Sequence, residues 1–376
     1  MRDKKILVDI NHPAHVHLFK GFIAGMKALG YEVLVTAKDS ASIKELLQKE
    51  QISFITVGQK KDSMILKYLY ELFHLVKVWY IVQTKQVDYG IGVSMVLPLV
   101  SKLTRMKSIA LDDDDLTVTP LFGKFVSFAD VILNPSPLAY EDRGPNRICH
   151  NSFHELAYLH PSQFTPDPAV VKEAGLVPGE PFFILRFNAF KAHHDGEAMG
   201  ISLEQKLVLI DLLRPYGRVF ITTEREPEPA LKQYQLPVSP DKIHSFMYYA
   251  MMFIGDSQTM ISEAALLGTP AVKMNTFAGR LSIPNELENT YQLCYSFHPT
   301  SFEQMLEQID QLLRQPDVKA EWSRRKEKML ADKIDLTSFL IWFVANYPES
   351  VSQMKMNTSF STMSDALPDP YTSFSH

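Results

Sequence analysis

The sequence predicts an α/β protein made of two units, each a parallel sheet wrapped by helices, that face a cleft. Three observations point there. The chain has 376 residues, whereas single hydrophobic cores tend to stop growing near ~250–300 residues. Short β-branched runs alternate with helical patterns along most of its length, the signature of βαβ units. Between residues 135 and 181 that texture breaks: eight of the 23 prolines fall in this stretch and periodicity fades, as at an inter-domain connection. The expected division is 1–150 and 151–335. A helix at 336–347 should pack back on the first domain, and a tail at 348–376, rich in Ser, Thr and Met, reads as loose.

The elements follow in order. KILVDI, EVLVTA, SFITV, YGIGV, SIAL and VILN read as strands of the first unit, separated by helical segments at 16–29, 41–49, 64–85, 95–106 and 121–129. Val16, Phe19, Ile23, Met26 and Leu29 recur at steps of three or four and make one apolar stripe. The second unit repeats the alternation with FFILRF, RVFITT, MFIGD and AVKM, and with helices at 203–213, 245–250 and 259–267. Helical segments at 302–313 and 319–333 lead to the last one. No solenoid-type repeat is present.

Composition excludes several classes. Hydrophobic residues make up 46% and charged residues 22% of the chain, values of ordinary globular proteins. A net charge of -5 gives no basic footprint for nucleic acid. Cys149 and Cys294 are the two cysteines, without CxxC spacing, so neither a disulfide framework nor a structural zinc site is expected, and a reducing cytoplasm fits. The start, MRDKKILVDINHPAH, meets charge and histidine before any signal-like apolar run. The most apolar long segment, residues 64–82, carries Lys67, Glu71, His74 and Lys77 and is too polar to span a bilayer. A buried helix is its leading reading; a membrane-surface patch is the other, with Lys67, Lys77 and Lys85 toward anionic headgroups.

Ligands of open parallel sheets collect at the carboxyl ends of strands, so the loops there hold the candidate site. In IGDSQTMISEAALLGTP, residues 254–270, a strand runs into a polar turn and a helix closed by Gly268 and Pro270. Ser257 is a good N-cap, and the open amides of residues 258–260 with the helix dipole make an anion site. Thr259 and Glu263 stand four apart on one face, and a carboxylate on an exposed side accepts both hydroxyls of a ribose. Capping and dipole chemistry alone also accounts for Asp256, Ser257, Gln258, Thr259 and Glu263.

Asn11, His12, His15 and His17 crowd the end of the first strand, with Asn11 and His17 candidates for the acceptor side. A histidine with a pKa near ~6.5 is a natural general base for a hydroxyl; helix capping and metal binding are the other readings, though no carboxylate completes a familiar ligand spacing. LDDDDL places Asp112 and Asp113 after another strand, as a solvated turn, a Mg²⁺ site or a polar acceptor-side surface. The loop at 187–202 is long for a strand-to-helix link. With Arg186 it offers Lys191, His193 and His194 to a diphosphate. Glu224 and His244 lie at further strand or helix ends and are weaker candidates for sugar or base contacts.

DINHPAHVH, HELAYLHP at 154–161 and GDSQTMISEAALLGTP together resemble domain-of-unknown-function family 354, predicted glycosyltransferases, over about residues 4–347. The last of these motifs also looks like the nucleotide-binding motif of GT-B enzymes, among them the lipid-II N-acetylglucosaminyltransferase and the non-hydrolysing UDP-N-acetylglucosamine 2-epimerases. The resemblance implies two Rossmann-like domains of the GT-B type, a nucleotide-sugar donor (with UDP implied by relatives), Glu263 at the ribose, and no cofactor. His15 matches a histidine proposed as base in the lipid-II enzyme, but the glycines before it there are Pro13 and Ala14 here, and His12 stays a rival. Three functions follow: a metal-independent glycosyltransferase acting on a glycan or lipid-linked acceptor in surface polysaccharide synthesis, a 2-epimerase, or a nucleotide-binding protein without turnover.

Overall fold

The computed structural model describes residues 4–59, 64–187, 201–223 and 227–356. It divides into two compact units, residues 1–163 with 332–376, and residues 164–331. Residues 151–163 therefore pack with the first unit, beyond the boundary read from the proline-rich texture.

In the first unit the chain runs β1 (Lys5–Ile10), α1 (Pro13–Ala28), β2 (Glu32–Asp39), α2 (Ala41–Lys49), β3 (Ile55–Gln59), α3 (Met64–Lys85), β4 (Tyr89–Gly92), α4 (Val96–Leu103), β5 (Lys107–Leu111), α5 (Pro120–Val126), β6 (Val131–Pro135), β7 (Arg147–His150) and α6 (Leu156–Leu159). All seven strands are parallel, in the order β3-β2-β1-β4-β5-β6-β7. Strand order reverses between β1 and β4, which is where an open parallel sheet offers its crevice. Val16, Phe19, Ile23 and Met26 of α1 are all buried, as their spacing requires.

The second unit runs α7 (Ala169–Glu173), β8 (Phe182–Phe187), α8 (Leu203–Leu213), β9 (Arg218–Thr223), α9 (Ile243–Tyr249), β10 (Met252–Gly255), α10 (Gln258–Leu267), β11 (Ala271–Met274), α11 (Ser282–Asn285), β12 (Cys294–Phe297), α12 (Phe302–Arg314) and α13 (Val318–Asp332). Its parallel sheet has the order β12-β11-β10-β8-β9, so β8 and β10 flank its switch point. α10 stops at Gly268, whose φ of 79° is left-handed, a conformation open to glycine.

Two further helices return to the first unit: α14 (Leu336–Ala345) and α15 (Glu349–Met356). α14 packs on α1 and α6. Residues 349–356, read from composition as loose, form α15 instead, because Met354 is buried and the Ser350 hydroxyl donates to the Phe343 carbonyl at 2.7 Å. The α3 segment also differs from its leading reading. Val78, Ile81 and Val82 join the core, but Leu72, Phe73, Val76, Trp79 and Tyr80 are exposed. Among the described residues no helix is long and apolar enough to cross a membrane.

Asp335 anchors the start of α14: its carboxylate accepts from the Thr337 and Ser338 amides at 2.9 and 3.3 Å, and from Ser162 and Gln163 side chains, each at 2.7 Å. Asp335→Ala removes this cap and should cost about 1–2 kcal/mol. Equilibrium urea unfolding checks the value, and an unchanged midpoint would show that α14 is held by its apolar face alone.

Candidate active site

At the switch point of the first unit, Asp9 near the end of β1 is completely buried. An ionised carboxylate in such a place must be met by donors. Thr36 from β2 donates at 2.8 Å, Asn11 Nδ2 at 2.8 Å, and Ser94, just past β4, at 2.6 Å. His74 Nε2 from the inner face of α3 lies 3.3 Å away. Burial alone would raise the Asp9 carboxyl, but the His74 charge and these hydrogen bonds hold it well below the usual carboxylate range. For His74 burial likewise opposes charge, and Asp9 with Glu71 reverses the sign, raising it to about 9. Glu71 is paired in turn with Lys38 at 2.6 Å.

Asn11 couples this hub to the histidines. Its backbone N–H donates to His15 Nδ1 at 3.3 Å, and the Ala14 N–H donates to His12 Nδ1 at 3.2 Å. His12 is the N-cap residue of α1, so its capping role is real. A ring nitrogen that accepts has no proton, which puts the proton of each neutral ring on Nε2. In that tautomer the Nε2 atoms of His15 and His12 are donors. Burial, with His12 and His154 nearby, pulls His15 down to about 3. His17 is half-buried, its ring 5.4 Å from that of Tyr158.

The aspartate run is not one solvated turn. Asp112 is buried and ion-paired with Arg143, which also binds Glu141 at 2.5 Å. Burial pushes Asp112 up to about 6, with Arg143 opposing. This occupation argues against an open acceptor-side role for Asp112. Asp113 points elsewhere: its Oδ2 lies 3.0 Å from His154 Nδ1. Burial disfavours both charges, yet the pairing wins on both sides, raising His154 and lowering Asp113. His154 is 8% exposed, and among the described residues its buried Nε2 has no hydrogen-bond partner. The HELAYLHP motif contained this histidine, but nothing local in the sequence announces its aspartate partner.

In the second unit, Arg186 of β8 is in register with Gly255 of β10. A side chain at Gly255 would strike the Arg186 carbonyl oxygen, so only glycine allows these strand ends to close up. Arg186 Nη1 is 3.4 Å from the Thr222 hydroxyl. Ser257 is the N-cap residue of α10, but its side chain makes no capping bond. The first amides of α10 have no partner within the helix. Lys273 of β11, 1% exposed, donates to Gln258 Oε1 at 2.7 Å, and Asn275 donates to the Asp256 carbonyl at 3.1 Å. Lys273 was missed because one lysine in AVKM does not disturb a strand pattern. Asp256 is buried, Gln258 half-buried and Thr259 exposed.

Glu263 does not lie on an open face. α9 packs on α10, Glu263 is 6% exposed, and its Oε1 lies 3.1 Å from His244 Nε2. The spacing with Thr259 holds along the helix, but a second helix covers that side. Beside the strand ends is a cavity of about 630 Å³, lined by residues that include Arg186, Thr222, Thr223, Leu236, Ile243 and Met260. Lys191, His193, His194 and Glu224 lie outside the described residues.

Linkage gives the Asp9–His74 pair a pH signature. A histidine raised in the fold adds stability that is complete below its unfolded pKa, near ~6.5, and is lost as pH climbs through the folded value. Stability of the first unit should thus fall between pH 6.5 and about 9. His74→Gln should flatten that slope, as read by urea midpoints across pH. Asp9→Ala, which strands a buried imidazolium, should cost about 3–5 kcal/mol.

No curated protein sequence matches the chain. Among solved structures, a putative UDP-N-acetylglucosamine 2-epimerase from Listeria monocytogenes is 11% identical over 88% of this chain and 96% of its own, with a TM-score of 0.64. The S. aureus MnaA–UDP structure is 10% identical, covers 93% and 98%, and has a TM-score of 0.67. The Streptomyces sp. SF2575 glycosyltransferase SsfS6, complexed with thymidine diphosphate, is 13% identical over 90% and 99%, with a TM-score of 0.58. At such identities the likeness is one of fold: two parallel α/β units of the GT-B type. The model of one family, described as Protein of unknown function (DUF354), matches residues 4–285, most of the sequence, and the chain belongs to that family.

Proposed function

We propose that the protein is a nucleotide-sugar glycosyltransferase. The second unit holds the donor, its diphosphate at the start of α10 with Arg186 and Thr222, and its nucleoside in the adjoining cavity. Supporting this, two proteins of similar fold are described with UDP and with thymidine diphosphate. A uridine diphosphate sugar and a glycan or lipid-linked acceptor, in surface polysaccharide synthesis, complete the reading.

The observation that carries it is the Asp113–His154 pair. Asp113 holds the Nδ1 proton, so a neutral His154 keeps its lone pair on Nε2, and among the described residues that atom has no partner. This is the tautomer a general base requires. The acceptor hydroxyl gives its proton to Nε2, its oxygen bonds to the anomeric carbon, and the bond from that carbon to the diphosphate oxygen breaks. Charge that develops on the leaving diphosphate is met by the α10 amides and Arg186, fixed dipoles and a cation already in place. His15 and His12, as Nε2–H donors, hold the acceptor rather than deprotonate it.

Turnover is followed as UDP released from UDP-N-acetylglucosamine over a panel of glycan acceptors. His154→Ala should lower kcat on the order of 10²–10⁴-fold, with little change in the donor KM. The base works deprotonated, so the rate should rise with pH and its ascending limb should lie above pH 6.5. Asp113→Asn should move that limb down. Near-normal transfer by His154→Ala would return the base to His15 or His12.

The epimerase superpositions, with TM-scores of 0.64 and 0.67 against 0.58 for SsfS6, favour a second reading, 2-epimerisation. Incubation with UDP-N-acetylglucosamine alone separates the two, because a new epimer in the NMR spectrum without acceptor is the product of that reaction. Binding without either product leaves a nucleotide-binding protein.

A further inference from the structure

The outward face of α3 breaks the usual rule for a helix on a parallel sheet. Its inner stripe of His74, Val78, Ile81 and Val82 is buried, yet the opposite stripe is apolar too. Leu72 is 58%, Phe73 53%, Val76 50%, Trp79 39% and Tyr80 62% exposed. Steps of three and four put these five side chains on one side of one helix. Scattered exposed hydrophobics need no explanation, but a contiguous stripe does.

We propose that this face docks the protein on a bilayer rich in anionic lipid. The charge around it chooses the occupant. Lys77 borders the stripe, its Nζ 5.7 Å from the centre of the Phe73 ring. Lys85, Lys102 and Arg105 are exposed at the ends of α3 and of α4, which packs on it. In α4 and α5, and among residues 70–85 of α3, Glu71 is the one acid, and it is bound to Lys38. These segments are poor in acids although the chain carries a net charge of -5. A symmetric contact with a second copy would set these cations against their own images, whereas phosphate headgroups would neutralise them. Trp and Tyr beside Leu, Phe and Val, with Lys and Arg at the margin, is the composition of a helix lying in a membrane interface. The proposal is independent of the reaction assigned above, since it needs no substrate.

The test uses the full chain and vesicles of phosphatidylcholine, with or without phosphatidylglycerol. Flotation with the anionic vesicles alone, reversed by salt, is expected. Trp79 is a built-in reporter, because Trp322 and Trp342 are 0% and 4% exposed and the chain has three tryptophans. Its emission should shift to the blue and be quenched by brominated lipid, and Trp79→Phe should lose the shift yet still float. Combined Lys85→Gln, Lys102→Gln and Arg105→Gln should weaken binding on the order of 10²-fold. Phe73→Ser with Tyr80→Ser should also weaken it, without lowering the thermal midpoint. If the serine variant fails to fold, the glutamine variant still decides. The proposal falls if neither vesicle floats the protein, if both float it equally, or if the charge variant binds as the parent does. It falls also if sedimentation finds a stable dimer that the serine variant dissociates and no vesicle binding.

Discussion

One buried carboxylate organises the first unit. Asp9 has no access to water, and its charge is tolerable because four donors reach it from separate places: β2, α3, the turn after β4, and Asn11. Each donor fixes the element that carries it. Thr36 aligns β2 with β1, Ser94 sets the start of α4 through the Val96 amide, and His74 fixes the rotation of α3 about its axis. That rotation then decides which apolar side chains of α3 enter the core and which remain outside. Asn11 passes the constraint to the loop before α1, where His12 and His15 accept hydrogen bonds from backbone amides.

The second unit reaches a similar end by a different route. Close approach at Gly255 and the Asp256 amide, which donates to the Arg186 carbonyl at 3.2 Å, brings the ends of β8 and β10 together. α10 then begins at the edge of that junction, with Arg186 beside it. Buried Lys273 reaches Gln258 in its first turn. Burial lowers this lysine, so the start of the helix has a cationic neighbour whose charge is costly to keep.

Local order was legible in the sequence. Strand runs such as KILVDI and FFILRF, the stripe of α1 and the Gly268 terminator are set by residue type and spacing, and they stand where the periodicity puts them. Pairings were not legible. Asp113 and His154 belong to different elements, and no spacing rule connects them; the same holds for Asp9 with His74. Glu263 was assigned to an open face because spacing shows a helix's sides but not its neighbours, and α9 covers that side. The α3 segment failed for a related reason. When both faces of a helix are apolar, periodicity has no contrast from which to tell inside from outside. The strands RICH and CYSF, β7 and β12, were not read from the sequence.

The poise of His154 is read by NMR of ¹⁵N-histidine-labelled protein titrated through neutral pH. A neutral ring with its proton on Nδ1 and a midpoint above 6.5 are expected, both lost or lowered in Asp113→Asn. A neutral ring protonated on Nε2, or a midpoint below 6.5, would contradict it.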